Sequence, residues 1–165
     1  MATPEAWLDA LVAGLAASGQ TVATSESLTG GLIGATITEV SGASAVYVGG
    51  VVVYQTELKA VLGGVPVALL DRDGPVAAST AEALAQGVRT STGADWGLAV
   101  TGVAGPAGQA GAEPGTVWVG LAGPSGVSSR LLRLSGDRSE IRSATVRAAL
   151  RWLGDAALGE DWSRG

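Results

Sequence analysis

The chain has 165 residues, 10 basic and 15 acidic side chains, a formal net charge of −5, and no cysteine, histidine or phenylalanine. Its length suits one ordinary domain. The missing cysteines exclude disulfides, thiolate nucleophiles, iron–sulfur clusters and thiolate zinc sites, and the missing histidines exclude the Ser-His-Asp triad and imidazole zinc sites. A hydrolase built on this chain therefore needs another base. Lys59 is the sole lysine, against nine arginines. A site that requires an amine able to lose its proton would retain one lysine, because guanidinium cannot do that job.

Residues 1–58 carry no positive side chain, so no secretory or transit leader is expected. The charge-free run 40–56 is interrupted by Gly and Ser and does not read as a membrane span. The acidic balance argues against general nucleic-acid binding. The expectation is a cytoplasmic protein acting on a small molecule, with no membrane or nucleic-acid partner, no metal and no cofactor.

In chain order, the first element reads as a helix capped by Thr3, with Pro4 at its first position. Its apolar stripe is Trp7, Leu8, Leu11, Val12 and Leu15, and Gly19 ends it. Residues 21–25 read as a short strand, and SESLTGG followed by Leu32, Ile33 and Ile37 as strand, turn and helix. The Val-rich run 48–54 reads as a buried strand. A short helix is expected over 55–62 and irregular chain over 63–78, with Pro66 and Pro75. Ser79 and Glu82 suggest a capping box that opens a helix to about residue 92, with Ala81, Leu84, Ala85 and Val88 on one face.

Residues 95–101 look strand-like and lead into a long glycine-rich loop, which in a compact domain is usually functional or mobile. Residues 116–122 and 127–134 read as strands joined by GPSG in a hairpin. Asp137 and Glu140 form a second capping box, starting a helix to about residue 153 whose inner stripe includes Ile141, Ala148 and Trp152. The last dozen residues read as frayed. Together these give an α/β fold with a mixed, mostly parallel sheet and one antiparallel pair. Residues 130–151 hold six arginines against Asp137 and Glu140. Arg138 and Arg142 share a helix face suited to an anionic ligand, whereas Arg147 and Arg151 point the other way, as a solvated face or a subunit contact. The acidic front and basic back are compatible with a homo-oligomer.

Three segments carry the residues capable of chemistry. Ser25-Glu26-Ser27-Leu28-Thr29-Gly30-Gly31 places hydroxyls and glycine amides where a strand gives way to a helix, the position at which α/β sheets hold ligands; a plain helix cap is the bland alternative. Tyr54 through Lys59 follows the Val-rich strand. A lysine partly desolvated there can serve as the base for a serine, with Tyr54 relaying a proton or holding the amine. Thr101-Gly102-Val103-Ala104-Gly105-Pro106 adds a hydroxyl and amides at a third strand end, and it is not a Walker loop. The three segments converge on the carboxyl ends of three expected strands.

These blocks resemble the C-terminal domain of the competence/damage-inducible CinA family: SESLTGGLIGATITEVSGASAVYVGGVVVY, LAVTGVAGP and SGDRSEIR, in the family's order and spacing over about residues 5–154. Stand-alone members are nicotinamide mononucleotide amidohydrolases of the PncC type. The resemblance implies a three-layer α/β/α sandwich and a metal-independent Ser/Lys amidase of pyridine-nucleotide salvage. By position it implies Ser27 as nucleophile and Lys59 as base, with Tyr54 beside it. Thr29, Gly30, Gly31, Thr101, Gly102 and Arg142 would be substrate-binding, with amides at Gly30, Gly31 or Gly102 holding the oxyanion. The chain departs from the family pattern at Thr56, at Pro75–Ala78 and in the loop 106–116. A non-catalytic nucleotide-binding module and an amidase for another small carboxamide are the alternative readings.

Overall fold

The structure, a computed structural model, describes residues 6–164, the last of these by its backbone alone. The elements run α1 (Ala6–Ala17), β1 (Val22–Glu26), α2 (Leu32–Thr38), β2 (Tyr47–Val52), α3 (Thr56–Val61), α4 (Val67–Asp73), α5 (Ala78–Thr92), β3 (Trp96–Gly102), β4 (Thr116–Gly123), β5 (Gly126–Arg133) and α6 (Arg138–Leu158). Single 3₁₀ turns occupy Ala43–Ala45 and Trp162–Arg164. The expected cap by Thr3 and Pro4 lies outside the described residues.

The sheet has the order β2-β1-β3-β4-β5. Strands β2, β1 and β3 are mutually parallel, while β3–β4 and β4–β5 are both antiparallel. The expected hairpin is therefore one of two antiparallel pairings, because β4 returns from the glycine-rich loop directly beside β3. Helices α1, α2 and α6 cover one face around Leu11, Ile33, Leu98, Ile141 and Leu150, all buried. Helix α5, with α3 and α4, covers the other face around Val53, Leu70, Leu84 and Ala99. This is an α/β/α sandwich with a mixed sheet.

Strand glycines let α5 settle on the sheet. A Cβ on Gly97 or Gly120 would land on the backbone carbonyl of Ala85 or Ala81 respectively, so no other residue permits that approach. The expected inner face of α5 is buried as read, at Ala81, Leu84, Ala85 and Val88.

Four sequence expectations are corrected. Residues 63–78 are not irregular throughout: α4 begins directly after Pro66, whose fixed φ suits the entry to a helix. The Ser79/Glu82 capping box does not form, since the helix starts one residue earlier with Ala77 as its cap. Ser79 instead donates to Asp73 at 2.6 Å, and Glu82 accepts from Ser129 of β5 at 2.7 Å. The Val-rich strand is an edge strand with alternating exposure, Val48 and Val52 being nearly half exposed, rather than a buried central one. The C-terminus is not frayed over the last dozen residues. Helix α6 continues to Leu158, and Trp162 folds back edge-on to Trp7, its indole nitrogen donating to Asp155 at 2.9 Å.

The Asp137/Glu140 box forms as read: the Asp137 carboxylate accepts from the Glu140 amide at 2.9 Å, and the Glu140 carboxylate accepts from the Asp137 amide at 2.7 Å. Among the described residues no helix is long and apolar enough to cross a membrane.

Candidate active site

Because β2, β1 and β3 run parallel, their carboxyl ends lie along one rim of the sheet, and the three segments singled out above meet there. Ser27, Tyr54, Lys59, Thr101 and Gly102 line one cleft, together with Thr56, Gln109 and Arg138. Ser27 sits just past β1, where its amide donates to the Val100 carbonyl of β3 at 3.2 Å, extending the ladder by one bond.

Lys59 rises from the middle of α3 and is among the largest fully buried side chains, only 2% exposed. Its Nζ donates to Ser27 Oγ at 3.0 Å and to the Val53 carbonyl at 2.9 Å, with the Tyr54 carbonyl at 3.5 Å. A buried amine disfavours its charged form. Burial pulls Lys59 from its ordinary 10.5 down to about 8, against the smaller opposing pull of the Glu57 carboxylate. A neutral amine at that position accepts a proton from the hydroxyl it faces, so the pair has the geometry and the basicity of an activated serine.

Tyr54 does not hold the amine by its phenol. The ring is 57% exposed, and its hydroxyl accepts from Arg138 Nη2 at 2.9 Å, while Arg138 Nη1 donates to the Gly105 carbonyl at 2.8 Å. Arg138 thereby bridges the lips of the cleft and is, with Lys59, one of its two basic side chains. Thr101 is buried and donates to the Pro75 carbonyl at 2.5 Å, tying the segment before α5 to the cleft wall.

The remaining predicted positions lie beside the cleft. Thr29 is fully buried and donates to the Glu26 carboxylate at 2.6 Å. The Gly30 amide donates to the Ser27 carbonyl at 3.0 Å, so it is already engaged, and Gly31 lies in the shallow groove between α2 and β2. Arg142 donates from Nε to the Leu28 carbonyl at 3.0 Å and from Nη2 to the Thr29 carbonyl at 3.1 Å. The structure thus brings Ser27, Tyr54, Lys59, Thr101 and Gly102 together, and leaves Thr29, Gly30, Gly31 and Arg142 on the turn behind them.

Two residues escaped the sequence reading. The first is Arg138 as the arginine of the cleft: a spacing of four puts Arg138 and Arg142 on one face, and only the packed helix shows which one reaches the opening. The second is Glu26, buried inside β1, which caps α2 from outside by accepting from the Ile33 amide at 2.8 Å and the Gly34 amide at 3.0 Å. No capping motif encodes a cap seven and eight residues away.

An α/β/α sandwich with a serine–lysine pair at the carboxyl rim of its parallel strands defines a hydrolase-like site, and comparison with known proteins places the chain. It belongs to the CinA family, matching the CinA C-terminal domain over residues 5–157. It is 46% identical over 148 residues to a CinA-like protein of Geotalea daltonii, covering 88% of this chain and 36% of that protein. A putative competence-damage inducible protein of Desulforamulus reducens is 47% identical over 134 residues, covering 81% of this chain and 33% of that protein. The chain thus spans about a third of the length of the curated relatives it matches. Among solved structures it resembles the competence/damage inducible protein CihA from Agrobacterium tumefaciens, with a TM-score of 0.83 and 36% identity over 93% of this chain and 97% of that one. It also resembles a CinA superfamily protein from Escherichia coli, with a TM-score of 0.87 and 28% identity over 92% and 88% of the two chains.

Proposed function

We propose that this chain is a Ser/Lys amidohydrolase that converts nicotinamide mononucleotide and water to nicotinate mononucleotide and ammonia, in cytoplasmic pyridine-nucleotide salvage. The observation that supports it most is the buried Lys59 amine, drawn down to about 8, at 3.0 Å from Ser27 Oγ in a chain with no histidine. Lys59 takes the Ser27 proton as Oγ attacks the carboxamide carbon, then gives it to the departing nitrogen, so that ammonia leaves and a Ser27 ester remains. Lys59 next deprotonates a water, which attacks that ester; the acid product leaves and Oγ recovers its proton.

The developing oxyanion calls for backbone N–H donors on the cleft wall, where Gly102 is the predicted glycine in place. Arg138 at the mouth supplies the cation for the substrate phosphate, keeping one hand on Tyr54. The test is ammonia release from nicotinamide mononucleotide without added metal. Wild type should release it, and folded Ser27→Ala and Lys59→Ala should not. Silence from a folded wild type on this substrate, with turnover of another carboxamide, would replace the substrate; silence on every carboxamide would remove the activity.

A further inference from the structure

The turn that carries Ser27 contains two successive glycines with positive φ, Gly30 at 60° and Gly31 at 102°. Such a backbone does not fix its own direction, because glycine opposes rotation less than any other residue. Ser27 nonetheless has to present Oγ to one buried amine, at hydrogen-bond distance. Two side chains grip the turn from opposite elements. From β1, the buried Glu26 carboxylate takes the Thr29 hydroxyl at 2.6 Å together with the first amides of α2, whose own cap, Gly31, has no side chain to offer. From α6, the planar Arg142 guanidinium takes the two adjacent carbonyls of Leu28 and Thr29 at 3.0 and 3.1 Å. A fork holding two consecutive carbonyls fixes an orientation as well as a distance. Neither Thr29 nor Arg142 lines the cleft.

We infer that Arg142 and Thr29 are positioning residues that lock the 27–31 turn so that Ser27 Oγ stays on Lys59, rather than groups that touch substrate. The inference rests on the Ser27–Lys59 reading of the site and assigns the arginine's work to geometry, which loose placement of a nucleophile by an ångström makes costly.

The experiment compares wild type with Arg142→Ala, Arg142→Gln, Thr29→Val and Thr29→Ser, each checked for folding by thermal melting. Kinetics on nicotinamide mononucleotide are paired with an NMR titration of protein labelled in lysine. Because Lys59 is the sole lysine, that titration follows a single amine without assignment. Positioning predicts that Arg142→Ala and Thr29→Val lower kcat at least tenfold with KM within about threefold, as expected for a nucleophile out of line. The Lys59 midpoint should rise as the loosened turn admits water. Thr29→Ser and Arg142→Gln, which keep a donor, should recover part of both. A KM raised tenfold with kcat and midpoint unchanged would overturn the inference in favour of substrate contact, and unchanged values throughout would overturn it outright. If wild type hydrolyses no carboxamide, the amidase reading fails; the lysine midpoint still decides the clamp, upheld by a rise in Arg142→Ala and Thr29→Val and refuted by none.

Discussion

Replacing Lys59 by arginine keeps the positive charge and the reach of the side chain while removing the ability to lose a proton near neutrality. With the amine at about 8, roughly a quarter of molecules hold it neutral at pH 7.5; at its ordinary 10.5 the fraction would be about one in a thousand. Burial therefore enlarges the reactive population roughly two-hundredfold, and general-base catalysis adds about 10²–10⁴ to a reaction that uses it. The wild-type rate on nicotinamide mononucleotide, measured as kcat/KM by coupled ammonia detection from pH 6 to 10, should climb close to tenfold per pH unit and level off above about 8. Lys59→Arg should lose at least about a hundredfold at pH 8 and show no such limb.

Stability carries the same signature with its sign fixed by linkage. Between about 8 and 10.5 the unfolded chain binds the proton that the folded one has released, so stability rises with pH across that window. Relative to Lys59→Met, the wild type should gain up to about 3 kcal/mol as pH rises through it. A Lys59→Arg enzyme within tenfold of wild type, or a wild-type profile flat from pH 6 to 9, would refute the reasoning.

Three further perturbations test the frame around the pair. Ser25 Oγ is completely buried and has no hydrogen-bond partner, so Ser25→Ala should leave stability equal or raise it by about 1 kcal/mol in denaturant titration; a loss of 2 kcal/mol or more would reveal a partner for that hydroxyl. Gly120→Ala drives a methyl onto the Ala81 carbonyl and should cost about 2 kcal/mol or more, read as a lower melting temperature, because backbone on both sides must shift. Asp137→Ala removes the side-chain half of the α6 capping box and should cost about 1 kcal/mol by chemical denaturation.

How much of this was legible in the sequence depends on the range of each signal. The α5 stripe, the Asp137/Glu140 box and the β4–β5 hairpin are local patterns with one structural solution, and they folded as read. The convergence of Ser27, Lys59 and Thr101 on one rim followed from parallel strand order alone. Where a residue's partner lies far along the chain, sequence offered no guide. Ser79 and Glu82 have capping-box spacing, yet Asp73 and Ser129 take their side chains instead. The valines of β2 look like those of a central strand, and only the strand order makes it an edge. Arg138 and Arg142 differ by one helical turn, which decides between a residue at the cleft mouth and one behind the nucleophile turn.

The claim on which the account depends is that Ser27 carries the acyl group. Hydroxylamine tests this directly, because a serine ester partitions between water and a stronger nucleophile regardless of whether it accumulates. Wild type turning over nicotinamide mononucleotide with increasing hydroxylamine should yield the hydroxamate of the nucleotide at the expense of the acid, and folded Ser27→Ala should yield neither. Ammonia release with no hydroxamate at any hydroxylamine concentration, or a Ser27→Ala protein that still turns over, would contradict it.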